Sequence, residues 1–290
     1  MLAPQVASAW DRLLAAFQPV PKPTTGKGCP CSMCLTDERI LALLDQDPRT
    51  LTATGEVRTY VYNALGTIGT VDELTYLFPG LARIWAEKLE ESDPNDAYRE
   101  HFWGAMKKEA FLAETLAEPF RTAAGAFVRT AILAALENEG ALHRIKGISE
   151  PHLWTEEVSS YAEASDDFPL LWDAWWEMST AGYARTAVQF ASCLAFTARD
   201  NPLFHPWTPL GGGGPPISDE DPRRWSIYWR DANLSFLRSR VTAEFLVTSL
   251  KKARNHLQEP GDTDLAEAVL DRVTRSPGEV HARIRSLTEL

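Results

Sequence analysis

The sequence predicts an all-α fold, an irregular multi-helix bundle, on three observations. Apolar residues recur at three- and four-residue spacing along most of the 290 positions. Period-two alternation bounded by hairpin turns is hard to find. Helix start signals, capping side chains and first-turn prolines stand ahead of the periodic stretches. The β-branched run at 50–61 is short and carries Gly55, so it makes no case for a sheet.

The elements follow in order. At the N-terminus Trp10, Leu13, Leu14 and Phe17 share one helical face, and Asp11 and Arg12 interrupt what a signal peptide would keep apolar. This reads as a mature helix, and the expected compartment is the cytoplasm. A second helix is expected after Thr36. Thr70 and Glu73 have capping-box spacing, which starts a helix at Val71. Its stripe of Leu74, Leu77, Phe78, Leu81, Ile84, Trp85 and Leu89 is crossed by Pro79-Gly80, so a kink or two short helices are expected. Further helices are predicted at 97–111, 119–138, 150–163, 169–178, 183–198, 222–257, 264–274 and 277–287. Pro94, Pro222 and Pro277 stand in first turns, where a missing N–H has no intrahelical partner to lose.

Residues 201–221 break the pattern, with Pro202, Pro206, Pro209, the glycines 211–214, Pro215 and Pro216. A linker and a long surface loop both fit. Phe204 and Trp207 favour a loop pinned to the body, so a single domain over 1–290 is expected. No solenoid-type repeat is found.

Composition narrows the function classes. A net charge of −11 and a pI near 5.1 argue against nucleic acid as the partner, because such binding draws on clustered Lys and Arg. The longest apolar-rich stretch, 123–136, is interrupted by Arg129 and Thr130, which argues against a membrane span. Three of the four cysteines fall within six residues, Cys29, Cys31 and Cys34, unlike the spread framework of a secreted disulfide-rich domain.

That cluster is the clearest chemical signal. Three thiolates so close can share one soft ion such as zinc, with a fourth ligand from Cys193 or a histidine. The plainer alternative is three reduced thiols packed in a turn. A thioredoxin-like redox pair is a third reading, and it lacks the preceding strand that motif needs.

The order Phe17, Pro19, Pro21, Cys29-Pro30-Cys31, Cys34, Leu43-Leu44, Leu51, Tyr60, Ala64-Leu65, Thr67, Gly69, Val71-Asp72-Glu73-Leu74 and Leu77-Phe78-Pro79 resembles a group of uncharacterised bacterial Cys-Pro-Cys proteins. The likeness spans about residues 15–90 and, more faintly, 229–246. The sequence departs from that pattern at Gly80, where a basic residue would stand, and at Ile68. The resemblance implies an all-helical bacterial cytoplasmic protein and brings no activity with it.

Charge is concentrated. Residues 1–70 are neutral, 71–180 hold 9 basic and 21 acidic side chains, and 181–290 stand at +1. Between Lys146 and Arg185 there is neither Lys nor Arg, while Glu150, Glu156, Glu157, Glu163, Asp166, Asp167, Asp173 and Glu177 all fall there. Trp154, Trp172, Trp175 and Trp176 share the stretch. One reading is an acidic, aromatic face for a basic protein partner, with Trp154, Glu156, Glu157, Asp166, Asp167, Trp175 and Trp176 as contacts. The other turns the tryptophans inward and sets the carboxylates in water or against the Arg-rich segment 222–257.

No nucleophile elbow, phosphate loop, His-Glu-x-x-His or dinucleotide fingerprint occurs, so no catalytic residue is assigned. His101, His143 and Cys193 lack partners at diagnostic spacing. The expected function is a protein that binds another protein, of the immunity type that inhibits a toxin. The alternative is an enzyme, small-molecule or metal-binding protein, with its site between helices or at Cys29, Cys31 and Cys34.

Overall fold

A computed structural model describes residues 2–31, 33–91, 96–140, 142, 153–196, 202 and 229–286. These residues form thirteen α-helices and no strand, so the fold is all-α. The one β-type pairing among them is an isolated bridge between Ala64 and Ile68. None of the helices is long and apolar enough to cross a membrane. The chain divides into two compact units, 1–134 and 135–290. The division falls within a helix, whereas 201–221, the expected break, lies outside the described residues except for Pro202.

The first unit contains α1 (Pro4–Phe17), α2 (Asp37–Leu44), α3 (Gly55–Asn63), α4 (Val71–Glu91) and α5 (Tyr98–Lys107). The β-branched run is helical because Thr54 caps α3, its hydroxyl accepting from the Val57 N–H at 3.3 Å. The capping box forms as the sequence predicts. Thr70 Oγ1 accepts from the Glu73 N–H at 3.2 Å, and Glu73 Oε2 accepts from the Thr70 N–H at 3.3 Å.

Of the two outcomes expected at Pro79, a kink or two short helices, the division does not occur: one helix of 21 residues runs through it. The physical reason is burial on both sides. Leu77, Phe78, Leu81, Ile84 and Trp85 are all core residues, and the Trp10 indole N–H donates to the Pro79 carbonyl at 3.3 Å. Phe17 stacks on Phe78 at 5.4 Å, and Trp85 on Phe102 at 5.2 Å.

The helix predicted to reach residue 111 stops earlier. Glu109 and Ala110 are left-handed (φ 52° and 49°), and a tight turn at Lys108–Ala110 is followed by a wide one at Phe111–Thr115. Each left-handed residue costs about 1–2 kcal/mol. The reversal turns Phe111 and Leu112 into the core, which offsets that cost.

Helix α6 (Phe120–Glu137) carries the division between the units. The second unit continues with α7 (Leu153–Ala164), α8 (Phe168–Trp176), α9 (Ala181–Ala195), α10 (Asp231–Arg240), α11 (Ala243–Arg254), α12 (Pro260–Arg275) and α13 (Pro277–Ser286). Pro277 opens α13 as predicted, whereas Pro94 and Pro222 lie outside the described residues. The long helix expected over 222–257 is two helices where described. Val241 is extended and Thr242 caps a new start, its hydroxyl accepting from the Phe245 N–H at 3.0 Å.

Helix α9 packs against α8, α11, α12 and α13 and is almost wholly buried. Asp262 is the polar hub, accepting from the Leu142 N–H at 3.0 Å and from Arg185 Nε at 2.7 Å. Asn233 donates to the carbonyls of Ala162 and Ser165 at 2.7 and 2.6 Å and so fixes α10 on the end of α7.

Candidate metal centre

The cysteines lie on the segment between α1 and α2. Prolines at 19, 21 and 23 keep the first half of it from becoming helical. Beyond them the backbone is clamped at consecutive residues. The Lys27 N–H donates to Glu73 Oε1 at 2.8 Å, the Lys27 carbonyl accepts from the Gly69 N–H at 2.7 Å, and the Gly28 N–H donates to Asp37 Oδ1 at 2.7 Å. The Cys29 N–H then donates to the Leu35 carbonyl at 2.9 Å, closing the loop that holds all three thiols. Leu35 anchors its far end in the core, and the Thr36 hydroxyl caps α2.

Two glycines permit this geometry. A Cβ at Gly28 would overlap backbone atoms of Thr36 and Asp37 and come within 2.7 Å of the Leu35 carbonyl oxygen. One at Gly26 would meet the Asp37 carbonyl at 2.6 Å.

Within this loop the sulfur atoms of Cys29, Cys31 and Cys34 all lie within 4.8 Å of one another. Cys31 is exposed, the other two are half-buried, and Met33 beside them is 85% exposed. The Thr67 hydroxyl stands 3.6 Å from Cys34 Sγ and in turn donates to Asn63 Oδ1 at 3.3 Å. Hydrogen bonds from the Cys29 thiol, then Cys34 and the backbone at Met33, favour the Cys31 thiolate and lower its pKa to about 7. The Thr67 hydroxyl pulls Cys34 down, but the two neighbouring sulfurs and burial together outweigh it, so Cys34 titrates above an ordinary thiol.

The donor set fits a thiophilic ion. Tetrahedral Zn–S bonds of about 2.3 Å place sulfurs about 3.8 Å apart, so a contraction of roughly 1 Å would gather these three. A hard oxygen-seeking cation has no carboxylate in the group.

Cys193, a fourth ligand considered from sequence, is buried in α9 of the second unit and is not part of the cluster. Burial pushes its pKa up to about 12. His101 has a buried Nδ1 without a hydrogen-bond partner and meets the Tyr62 ring edge-on at 4.6 Å. Burial lowers its pKa. His143 lies outside the described residues.

In the acidic, aromatic stretch the tryptophans of α8 turn inward. Trp172 and Trp175 are fully buried and Trp176 is 7% exposed, the three rings packing with Phe190 of α9. The Trp175 indole N–H donates to Thr186 Oγ1 at 2.8 Å. Glu157 is buried as well. Burial therefore removes Trp175, Trp176 and Glu157 from the surface on which the sequence set them as contacts. Asp166 pairs with Arg230 at 2.6 Å, and Asp173 with Arg240 at 3.5 Å. Asp167 is partly exposed, and the side chains of Trp154 and Glu156 lie outside the described residues.

Sequence reasoning found the thiols and missed what holds them. Glu73 was read as a cap, but its carboxylate also reaches Lys27 and is buried, which raises its pKa. The signals were two glycines ahead of the first cysteine and a threonine at 67, neither of which carries meaning until the loop is closed.

No family model, no curated protein and no solved structure matches the chain.

Proposed function

We propose that this protein binds one soft metal ion, zinc in a reducing compartment, through the thiolates of Cys29, Cys31 and Cys34. The observation that carries the reading is the gathering of three sulfurs within 4.8 Å on a loop whose backbone is hydrogen-bonded at both ends. Thiolates at such spacing repel one another, and a divalent cation replaces that repulsion with bonds. Binding would tie the loop to the start of α2 and to the Thr67 turn. Three protein donors leave one position of a tetrahedral ion for a further ligand.

Metal analysis of the full chain, purified under reducing conditions, tests this. About one equivalent of zinc is expected, with thiolate-to-metal charge-transfer bands when cobalt(II) is substituted. The variants Cys31→Ser and Cys34→Ser should each hold less than about a tenth of that at micromolar protein, since each removes one of three donors. Less than half an equivalent in the parent chain would overturn the proposal.

A further inference from the structure

We infer that the same centre is regulated by peroxide: oxidation joins Cys31 and Cys34 in a disulfide and expels the metal. The release step rests on the metal-binding reading above, whereas the oxidation step rests on the thiols alone.

The three sulfurs are not equivalent. Cys31 is exposed, so a small peroxide reaches it first. Cys29 is the most restrained. Its own N–H is bonded to Leu35, the N–H groups of the two residues before it are bonded to Glu73 and Asp37, and Pro30 follows it. Cys34 is half-buried with its sulfur already within 4.8 Å of Cys31, and a turn at Met33 lies between them. A disulfide needs its sulfurs about 2.05 Å apart, so this pair has at most about 2.8 Å to close, and neither cysteine belongs to α2. Cys193 is buried in the second unit and outside the cluster, so one disulfide exhausts the reaction and Cys29 is left as a lone thiol.

The chemistry balances in two steps. The Cys31 sulfur attacks the peroxide O–O bond, an S–O bond forms, the O–O bond breaks, and one water leaves with a sulfenic acid on Cys31. The Cys34 sulfur then attacks that sulfur, the S–S bond forms, the S–O bond breaks, and the second water leaves. Two metal-bound thiolates have given two electrons to one hydrogen peroxide, and two protons from solvent complete the two waters. The ion loses two of its three protein donors and passes to solvent.

The test uses the full chain, reduced, with hydrogen peroxide as the oxidant. Three readings are taken: zinc released to a chromogenic chelator, the disulfide located by peptide mass mapping, and recovery with a dithiol reductant. The expected result is a 31–34 disulfide formed in step with zinc release, both reversed by the reductant. In Cys34→Ser the reaction should stop at a sulfenic acid trapped by dimedone, with zinc release from whatever is bound slowed by about tenfold, whereas Cys29→Ser should still form the disulfide. A starting protein without zinc that nevertheless forms the 31–34 bond would support the oxidation step and overturn the release step together with the metal-binding reading. Zinc retained through oxidation, a bond involving Cys29, or direct passage to sulfinic acid would overturn the switch while leaving metal binding standing.

Discussion

Gly28 shows how narrow the tolerance around the thiols is. Its neighbours are backbone atoms of the segment that starts α2, so an added methyl cannot be accommodated by a side-chain rotation. Gly28→Ala should therefore move the Cys29 backbone off the Leu35 carbonyl. We expect zinc content to fall below about half of the parent value with at most a small loss of helix content by circular dichroism, because, of the helices, only the first turn of α2 abuts residue 28. Full zinc content in that variant would show that the loop adapts. Residue chemistry made the cysteines legible in the sequence, since spacing alone gathers them. Thr67 and Glu73 were not legible as part of the site, because they stand 33 and 46 residues from their loop partners.

Among the elements, close approach matters more than propensity. At Gly182 in α9 a Cβ would overlap the Glu137 carbonyl and stand 2.7 Å from that of Leu136, so α9 begins against the end of α6 with no room for a methyl. At Gly104 in α5 a Cβ meets nothing within 4 Å. The same Gly→Ala change should thus have opposite signs. Gly182→Ala is expected to cost about 2 kcal/mol through backbone displacement, and Gly104→Ala to add up to about 1 kcal/mol through helix propensity. Urea unfolding of the two variants measures both, and a stabilised Gly182→Ala would refute the contact. Most helices of the described chain were legible, because amphipathic spacing and caps are local, but α3, which Thr54 caps, was not foreseen. The failures were at the 50–61 run, at Glu109-Ala110 and at Val241-Thr242. In each, tertiary burial or a strong cap outweighed the local pattern.

For the molecule as a whole, the uneven distribution of the −11 charge finds an internal use. Asp166 and Asp173 pair with arginines 64 and 67 residues further on, so part of the acidic stretch serves as the counter-charge to the Arg-rich segment that follows it. Such exposed pairs contribute only about 0.5 kcal/mol each. Their value is in registering α10 beside the start and the outer face of α8. The thiols are distributed unevenly too, three at one surface loop and the fourth sealed in the other unit. That makes Cys193 a reporter of one unit's opening. In metal-free reduced protein, a thiol-specific reagent should titrate the three loop sulfurs first and the fourth only as fast as the second unit exposes α9, a delay that urea shortens. Four equally fast thiols would contradict the burial of Cys193. With that lag in hand, the stability of the second unit can be timed in the unmodified chain without a dye or an introduced label.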